Sequence, residues 1–259
     1  MNLILDAKKA DGYKSQSQKV RVMSEHWAHS QAYCPNCGRA DFDKYENNKE
    51  VADFFCSNCK EDFELKSSKN KKIAGKIRDG AYKTMIERLE SNNNPNLFLM
   101  NYNSVSLNVL NFLVVPKHFF VPAIIKEENP LSPTARRAGH VLCSILLDDI
   151  LQTGKIYFIR NGVVEQKEKV MSEWKKTLFL SEEKEVSVKG WMLDVMKCVE
   201  DFGQKEFTLN DVYAFEDEFK SRHPDNKHIK DKIRQQLQVL RNKGYLEFIS
   251  RGYYRRAHS

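Results

Sequence analysis

Four cysteines stand in two pairs within one short stretch of the chain. Each pair has Cys-x-x-Cys spacing, and eighteen residues separate the pairs, which are Cys34, Cys37, Cys56 and Cys59. Four thiolates so arranged can surround one Zn²⁺ ion and leave no coordination position open. We therefore predict a structural zinc site. A redox pair is the alternative, and two pairs at this distance argue against it.

Three charged residues in the same stretch could perform phosphodiester hydrolysis. Asp53 precedes the second cysteine pair, and Glu64 and Lys66 follow it in the alternating sequence DFELKS. Alternation places Glu64 and Lys66 on one side of a strand and Phe63 and Leu65 on the other. Two carboxylates can hold one or two Mg²⁺ ions, and an ammonium group can orient or deprotonate water and offset negative charge. Alone this pattern is weak, and a surface ladder of salt bridges is the alternative.

The elements around these residues follow the order of a PD-(D/E)xK nuclease core. VADFF and DFELKS are typical of strands, GAYKTMIERLE of a helix, and LFLMNY and VLNFLVVP of buried strands. Ala52 stands where that pattern has proline. An amphipathic helix is predicted at 14–33. For 69–79 a basic mobile loop beside DNA phosphates is one prediction, and a solvated run of charge is the alternative.

The bulk composition agrees with a nucleic-acid partner. The net charge of the chain, +7, favours an anionic partner. No apolar run reaches membrane-spanning length, and the N-terminus lacks a signal-peptide pattern. We expect a cytoplasmic location without membrane association, where the clustered cysteines bind metal rather than form disulfides. Cys143 and Cys198 stand in apolar runs and are predicted to be buried thiols.

The chain is predicted to divide into a catalytic domain at 1–181, a linker at 182–188 and a winged-helix domain at 189–259. Three helices followed by two short strands predict the winged helix. Charge is divided within it: residues 189–219 hold three Lys/Arg and eight Asp/Glu, whereas 220–259 hold eleven and three. The positive half contains the third helix and the wing, which would face the DNA backbone.

The third helix of this domain has two distinct faces. Four apolar residues share one face and are predicted to enter the core: Ile229, Ile233, Leu237 and Leu240. Arg234, Gln235 and Gln238 lie roughly opposite and are candidates for base contacts, because glutamine suits adenine and arginine suits guanine. Exposed side chains without any DNA contact are the alternative.

Several segments together carry a more specific likeness. The combination of YCPNC, VADFFCSNC, FELK, DGAYKTM, NNPN, PTARRAG and HIKDKIRQQLQVLRNKG resembles the DpnI-type methyl-directed restriction endonucleases over nearly the whole chain. The resemblance implies an α/β PD-(D/E)xK core with a four-cysteine zinc ribbon and a C-terminal winged helix. It also implies a Mg²⁺-dependent enzyme that cuts double-stranded DNA at GATC when the adenine is N6-methylated. Asp53, Glu64 and Lys66 would be catalytic, with the Leu65 carbonyl as a further metal ligand.

One segment departs from this family. After Arg136 and Arg137 the run PTARRAG is followed by His140, where the resemblance leads us to expect tryptophan. These three residues are further candidates for DNA contact, and the change at His140 could alter selectivity for methyladenine. We expect a monomer. Two alternatives stay open: a non-enzymatic zinc-ribbon and winged-helix DNA-binding regulator, and a nuclease with the same core and another target.

Overall fold

The computed structural model describes residues 1–45, 52–70 and 72–257. The chain forms two compact units, Met1–Leu178 and Phe179–Ser259. Val51 of the predicted VADFF strand and Lys71 of the predicted basic loop lie outside the described residues, as do the last two residues of the predicted winged-helix domain.

The first unit is a mixed α/β structure. Its helices are α1 (Gln16–Gln31), α2 (Tyr82–Glu90) and α3 (Lys167–Thr177). Its strands are β1 (Asp43–Lys44), β2 (Phe54–Phe55), β3 (Asp62–Ser68), β4 (Lys76–Ala81), β5 (Asn96–Tyr102), β6 (Val109–Val115), β7 (Ile125–Glu127), β8 (Leu142–Leu146), β9 (Ile156–Arg160) and β10 (Val163–Val164). Short 3₁₀ turns lie at Ala7–Ala10, Lys117–Phe119, Pro122–Ile124, Leu147–Asp149 and Gln152–Gly154, and a further one, Leu178–Glu182, begins at the last residue of this unit.

Two sheets organise this unit. The larger sheet has the strand order β1-β2-β3-β5-β6-β9-β10, and the smaller has the order β4-β8-β7. Strands β3 and β5 run parallel, and the other neighbours in both sheets are antiparallel. A parallel pair requires a crossover, and here the chain passes through β4 and α2 between β3 and β5. The smaller sheet therefore takes its first strand from within this crossover.

An aromatic cluster holds β3 in place. The rings of Phe63 and Phe98 stack with centroids 4.7 Å apart, and Phe98 lies 4.9 Å from Phe112. Trp27 of α1 meets Phe112 edge-on at 5.1 Å, and Trp174 of α3 lies 6.5 Å from Phe63. Aromatic pairs add about 0.5–1.5 kcal/mol each beyond the area they bury. Because Phe63 is fully buried, the alternation of β3 turns its charged residues to the opposite side.

The basic segment 69–79 differs from the sequence-based expectation. Its final residues belong to β4, which pairs with β8 in the register Ile77 to Ile145, so the prediction of a loop is wrong for 76–79. Every second residue of β4, namely Ile77, Asp79 and Ala81, is half-buried. The sequence of this basic segment has a period of two that is compatible with a strand, and pairing with the apolar strand β8 stabilises that strand.

The second unit has the element order of a winged helix. Its elements are α4 (Val186–Asp201), β11 (Glu206–Thr208), α5 (Leu209–Tyr213), α6 (Glu216–Arg222), α7 (Ile229–Asn242), β12 (Leu246–Ser250) and β13 (Tyr253–Arg256). The strands form one antiparallel sheet in the order β11-β13-β12. In both units, no helix among the described residues is both long and apolar enough to span a membrane.

The interior of the second unit follows the predicted pattern. The four apolar residues assigned to the inner face of α7 are all buried: Ile229, Ile233, Leu237 and Leu240. Thr208 and Asp211 form the capping box that begins α5, with the Asp211 N–H donating to the Thr208 hydroxyl. Gly244 has a φ of +75°, the left-handed conformation expected where a helix ends.

Two details of this unit differ from expectation. Helix α4 begins at Val186, so the last residues of the predicted linker at 182–188 are helical. The predicted second helix is two short helices, because the chain turns at Phe215, whose ring packs edge-on against Phe202 at 5.6 Å. This tertiary contact outweighs the local preference for one continuous helix.

Candidate active site and cysteine cluster

Two tight turns with the same backbone pattern present the four cysteines. The N–H of Gly38 donates to the Cys34 carbonyl at 2.8 Å, and the N–H of Lys60 donates to the Cys56 carbonyl at 2.8 Å. Gly38 and Lys60 have φ values of +78° and +61°. Glycine adopts this conformation freely, whereas a lysine there costs on the order of 1 kcal/mol. The second turn therefore retains a strained residue between Cys59 and β3.

The four sulfur atoms lie at distances that suit one tetrahedral ion. Cys34 Sγ lies 3.4 Å from Cys59 Sγ, Cys37 Sγ lies 3.5 Å from Cys56 Sγ, and all four atoms lie within 4.8 Å of one another. A disulfide would require about 2.05 Å. Tetrahedral coordination with zinc–sulfur bonds of about 2.3 Å separates the sulfurs by roughly 3.8 Å. The cluster could therefore hold zinc, as the spacing predicts.

The local environment shifts the pKa values of two of these thiols in opposite directions. Burial raises the pKa of the Cys34 thiol. Burial also opposes ionisation of Cys37, but the side chain of Asn58 and the N–H of Arg39 hydrogen-bond its sulfur and lower its pKa to about 7. Metal ions bind the thiolate form, so Cys37 is more readily deprotonated for metal binding near neutral pH than Cys34.

Asp53 is anchored to the strand that carries the other charged residues. Its N–H donates to the Phe63 carbonyl at 2.9 Å, and its Oδ2 accepts from the N–H of Leu65 at 2.7 Å. Burial raises the pKa of the Asp53 carboxyl group, and the hydrogen bond from Leu65 partly opposes this. The carboxylate is thus held beside the backbone between Glu64 and Lys66.

Lys66 is bound by two carboxylates. Its Nζ lies 2.7 Å from Glu64 Oε1 and 2.8 Å from Asp79 Oδ1. Burial lowers the pKa of Lys66, but the negative charges of Glu64 and Asp79 outweigh that effect and raise it, so Lys66 is an ammonium at neutral pH. Burial raises the pKa of Glu64, and Lys66 opposes that shift.

An open cleft runs between α1 and β3. It is lined by Asp53, Glu64 and Leu65 together with residues of the N-terminal half of α1. Lys66 is not among the lining residues; its ammonium contacts Glu64 and Asp79. The cleft therefore presents the carboxylates of Asp53 and Glu64, the Glu25 carboxylate paired with Arg21, and the main chain at Leu65 to a ligand.

Sequence reasoning did not single out several residues of this site. Glu25 on α1 forms an ion pair of 2.5 Å with Arg21 at the cleft wall, and the i,i+4 spacing of the two residues is a visible signal. The Ser24 hydroxyl lies 3.2 Å from that of Ser67 and joins α1 to β3. Asp79 was also missed, because it is thirteen residues beyond Lys66 on a strand that was assigned to a loop.

The predicted DNA-contacting residues of the first unit lie on an exposed loop between β7 and β8. Arg136, Arg137 and His140 are all exposed. The N–H of Leu131 donates to the His140 carbonyl at 2.9 Å, and the N–H of Gly139 donates back to the Leu131 carbonyl at 3.0 Å, which closes the loop. These three residues do not line the cleft that contains Asp53.

In the second unit an open cleft lies between α7 and the β12–β13 hairpin. Of the predicted base-contacting residues, Arg234 and Gln238 line this cleft, and Gln235 is exposed on the same helix. The Nε of Arg234 donates to the Tyr213 hydroxyl, and its guanidinium lies 5.7 Å from the centroid of that ring. Arg234 is thereby oriented rather than freely mobile.

The same cleft contains further cationic and aromatic residues, and helix periodicity could not reveal those on the β12–β13 hairpin. Arg241, Arg251 and Phe248 line it, and Phe248 is 50% exposed with the Arg241 guanidinium 6.0 Å from its ring centroid. The excess of basic residues after residue 219 was the signal available in the sequence. This surface suits an anionic backbone with aromatic side chains beside it.

Family models match both parts of the chain. The model of the DpnI, Dam-replacing family matches residues 1–183, and that of the DpnI C-terminal domain, the Dam-replacing HTH domain, matches residues 187–256. The chain belongs to the DpnI family. DpnI-family proteins are restriction endonucleases, so this chain is a nuclease whose cleavage of DNA depends on methylation. The C-terminal match confirms an HTH-type domain, and DNA is the partner of the DpnI family.

Proposed function

We propose that this member of the DpnI family is a Mg²⁺-dependent endonuclease with a PD-(D/E)xK core. It cleaves double-stranded DNA at GATC sites whose adenine carries an N6-methyl group. The convergence of Asp53, Glu64 and Lys66 is the observation that supports the chemistry most directly: Asp53 is bonded to the backbone between the other two, and Lys66 contacts Glu64 at 2.7 Å. Family membership supports the methylated DNA substrate.

Asp53, Glu64 and the main-chain carbonyl of Leu65 would hold the Mg²⁺. All are oxygen donors, which this hard cation prefers. Burial raises the pKa of both carboxyl groups, so ionising both of them needs a compensating cation, and this donor set fits a divalent ion. When bound, Mg²⁺ supplies Lewis acidity and lowers the pKa of coordinated water.

Lys66 is proposed to act as an ammonium. Phosphodiester hydrolysis requires a water oxygen to attack phosphorus as the bond to the leaving sugar oxygen breaks, and negative charge develops on the phosphoryl oxygens. A fixed cation offsets that charge and can orient the attacking water. The raised pKa of Lys66, caused by Glu64 and Asp79, disfavours a role as the base.

The four cysteines are proposed to hold a structural Zn²⁺. Between Cys56 and Cys59 the chain turns from β2 to β3, and Asp53 lies immediately before β2. Strand β2 pairs with β3 through Phe54 and Phe63. The ion would therefore brace the hairpin that places Asp53 beside Glu64, while all its coordination positions are taken by protein ligands.

Recognition of the methyl group is proposed to use more than one reader on a monomeric chain. Burying one methyl group contributes only about 1 kcal/mol, which is less than tenfold in affinity. Strict selectivity therefore needs a second reader or a steric gate. The candidates are the loop with Arg136, Arg137 and His140 in the first unit and the exposed face of α7 in the second. The predicted domains 1–181 and 189–259 each contain one of these two candidate readers.

Cleavage of one plasmid prepared with and without adenine methylation tests this function. We expect the full chain with Mg²⁺ to cut the N6-methylated plasmid at GATC sites at least about 30-fold faster than the unmethylated plasmid, because two readers of about 1–3 kcal/mol each together contribute about 2–6 kcal/mol. Equal cutting of both would contradict methyl-directed activity. Binding of DNA without cleavage in Mg²⁺ or Mn²⁺ would indicate a non-enzymatic regulator instead.

Two substitutions on α7 distinguish base contacts from phosphate contacts. Gln238→Ala is expected to weaken binding of the methylated GATC duplex about tenfold and leave the salt dependence unchanged, because a neutral side chain releases no counterion. Arg241→Ala is expected to weaken binding to every duplex and reduce the slope of log K against log salt by about 1. Binding is measured on the full chain with Ca²⁺ in place of Mg²⁺.

Lys220→Ala is the matched control for these variants. Lys220 is a cation of α6 that pairs with Glu216 and Asp217 and does not line the cleft. Its removal is expected to leave binding and the salt slope unchanged. An equal loss of affinity for specific and nonspecific duplexes in Gln238→Ala would refute base contact by this residue.

A further inference from the structure

The ammonium of Lys66 joins the two sheets of the first unit. Lys66 and Glu64 belong to β3 of the larger sheet, whereas Asp79 belongs to β4 of the smaller sheet. The two carboxylate oxygens lie 2.7 and 2.8 Å from Nζ. Of the two partners of Lys66, Glu64 is a proposed metal ligand and Asp79 is not.

The position of Asp79 is closely defined. The ladder between β4 and β8 is irregular between Arg78 and Ala81, and such bulges redirect side chains. The N–H of Gly80 donates to Asp79 Oδ1 at 2.7 Å, so the oxygen that binds Lys66 is also held by the backbone. The Asp79 side chain is only 10% exposed.

The buried ion pair between Asp79 and Lys66 is expected to contribute little to the stability of the fold. Asp79 Oδ2 is buried and has no hydrogen-bond partner among the described residues. Burying an ionised carboxylate with an unsatisfied oxygen costs free energy, and buried ion pairs commonly stabilise a fold no better than apolar residues of the same volume. A requirement for charge at this place explains an aspartate better than stability does.

The proposed chemistry supplies that requirement. Glu64 would be a metal ligand, and a carboxylate that shares its charge with Mg²⁺ attracts a neighbouring ammonium less strongly. We propose that Asp79 is a positioning residue that holds the Lys66 ammonium in place during cleavage, when Glu64 is engaged by the metal. This inference rests on the proposed nuclease function and concerns the reaction step rather than DNA binding.

Substitution of Asp79 tests the inference through the rate of cleavage. Asp79→Asn keeps the size of the side chain and an acceptor oxygen but removes the charge. It is expected to lower kcat about 10- to 100-fold, the range of a lost charge-assisted hydrogen bond, and to leave KM for methylated DNA and the Tm nearly unchanged. Asp79→Glu keeps the charge and is expected to retain more activity than Asp79→Asn.

A second background shows whether Asp79 acts through Lys66. In a Lys66→Ala chain, adding Asp79→Asn is expected to cause no further loss of single-turnover cleavage, because residues that act as a unit are not additive. Glu128→Gln is the matched control: it breaks the Lys76–Glu128 pair of 2.6 Å in the same part of the protein and should leave the rate within about twofold of wild type, as expected for a surface ion pair.

Three results would overturn the role of Asp79. These are a wild-type rate in Asp79→Asn, an equal proportional loss in both backgrounds, and loss of folding in both Asp79→Asn and Asp79→Glu, which would make the residue structural. Wild-type cleavage in the same assay establishes the nuclease function separately. Failure of the Asp79 inference is therefore distinguishable from failure of the proposed function.

Discussion

Asp53→Asn is expected to reduce Mg²⁺-dependent cleavage of methylated DNA by about 10³-fold or more. Asp53 Oδ2 accepts a hydrogen bond of 2.7 Å from the N–H of Leu65, and the amide oxygen of asparagine can accept the same bond. The local fold should then persist while one negative charge of the proposed metal site is lost. A loss of about 10³-fold corresponds to about 4 kcal/mol, in the range of metal-based stabilisation of a transition state.

This variant is measured by single-turnover cleavage of a methylated plasmid. Duplex binding in Ca²⁺ and the circular dichroism spectrum should match those of the wild type. Asp62→Asn is the control, because Asp62 is on the same strand as Glu64, accepts a hydrogen bond from the Tyr45 hydroxyl at 2.7 Å and does not line the cleft. A folded Asp53→Asn protein that cleaves within about tenfold of the wild-type rate would show that Asp53 is not a metal ligand.

Cys56→Ser is expected to abolish both zinc binding and cleavage. Binding of zinc to such clusters contributes about 10–16 kcal/mol, which is comparable with the whole stability of a domain of about 5–15 kcal/mol. Cys56 follows β2 directly, and its carbonyl accepts the hydrogen bond from Lys60 that closes the turn into β3. Losing the ion should therefore release the hairpin and displace Asp53 from Glu64.

Metal content, Tm and cleavage together test this second expectation. Wild type should contain one zinc per chain by elemental analysis, and Cys56→Ser should lose it, unfold at lower temperature and not recover activity with added Mg²⁺. Cys198→Ser, which alters a buried thiol outside the cluster in the second unit, should keep its zinc. A Cys56→Ser protein that folds and cuts normally would disprove the bracing role.

Chelation of the wild-type protein should separate the two metals in time. Loss of Mg²⁺ should stop cleavage at once and reverse when Mg²⁺ is added back. Loss of zinc should be slow, accompanied by local unfolding, and not reversed by Mg²⁺. A single fast phase that Mg²⁺ fully reverses, with zinc removed, would contradict a structural role for the cluster.

Local rules were sufficient for much of this protein. The spacing of the cysteines predicted a cluster that the structure brings within 4.8 Å. The alternation of β3 placed Glu64 and Lys66 on one side, where they meet at 2.7 Å. The wheel of α7 separated Ile233 and Leu237 from the exposed Arg234. The inferences for β3 and α7 depend on residues within a few positions of one another, where backbone geometry alone decides which side chains share a face. The cysteine prediction depends on the repeated Cys-x-x-Cys spacing.

Pairing between distant strands decided the rest. Strand β4 lies in a basic segment that does not by itself predict a strand. It forms by pairing with β8, which is more than sixty residues later in the chain. The helix predicted after Thr208 was divided by the packing of Phe215 on Phe202. No period or spacing relates such residues in the chain, because their proximity depends on sheet register and core packing.

The charged stretch around the second cysteine pair shows both contributions. The sequence by itself determined which side chains are proposed to perform the chemistry, since Asp53, Glu64 and Lys66 stand in a strand–turn–strand segment whose geometry is local. Only the tertiary structure decided what surrounds these three residues. Helix α1 forms the cleft wall, and Asp79, which belongs to the smaller sheet, forms an ion pair with Lys66. A buried charge must be compensated by whatever the fold brings near it, and that partner has no fixed distance along the chain.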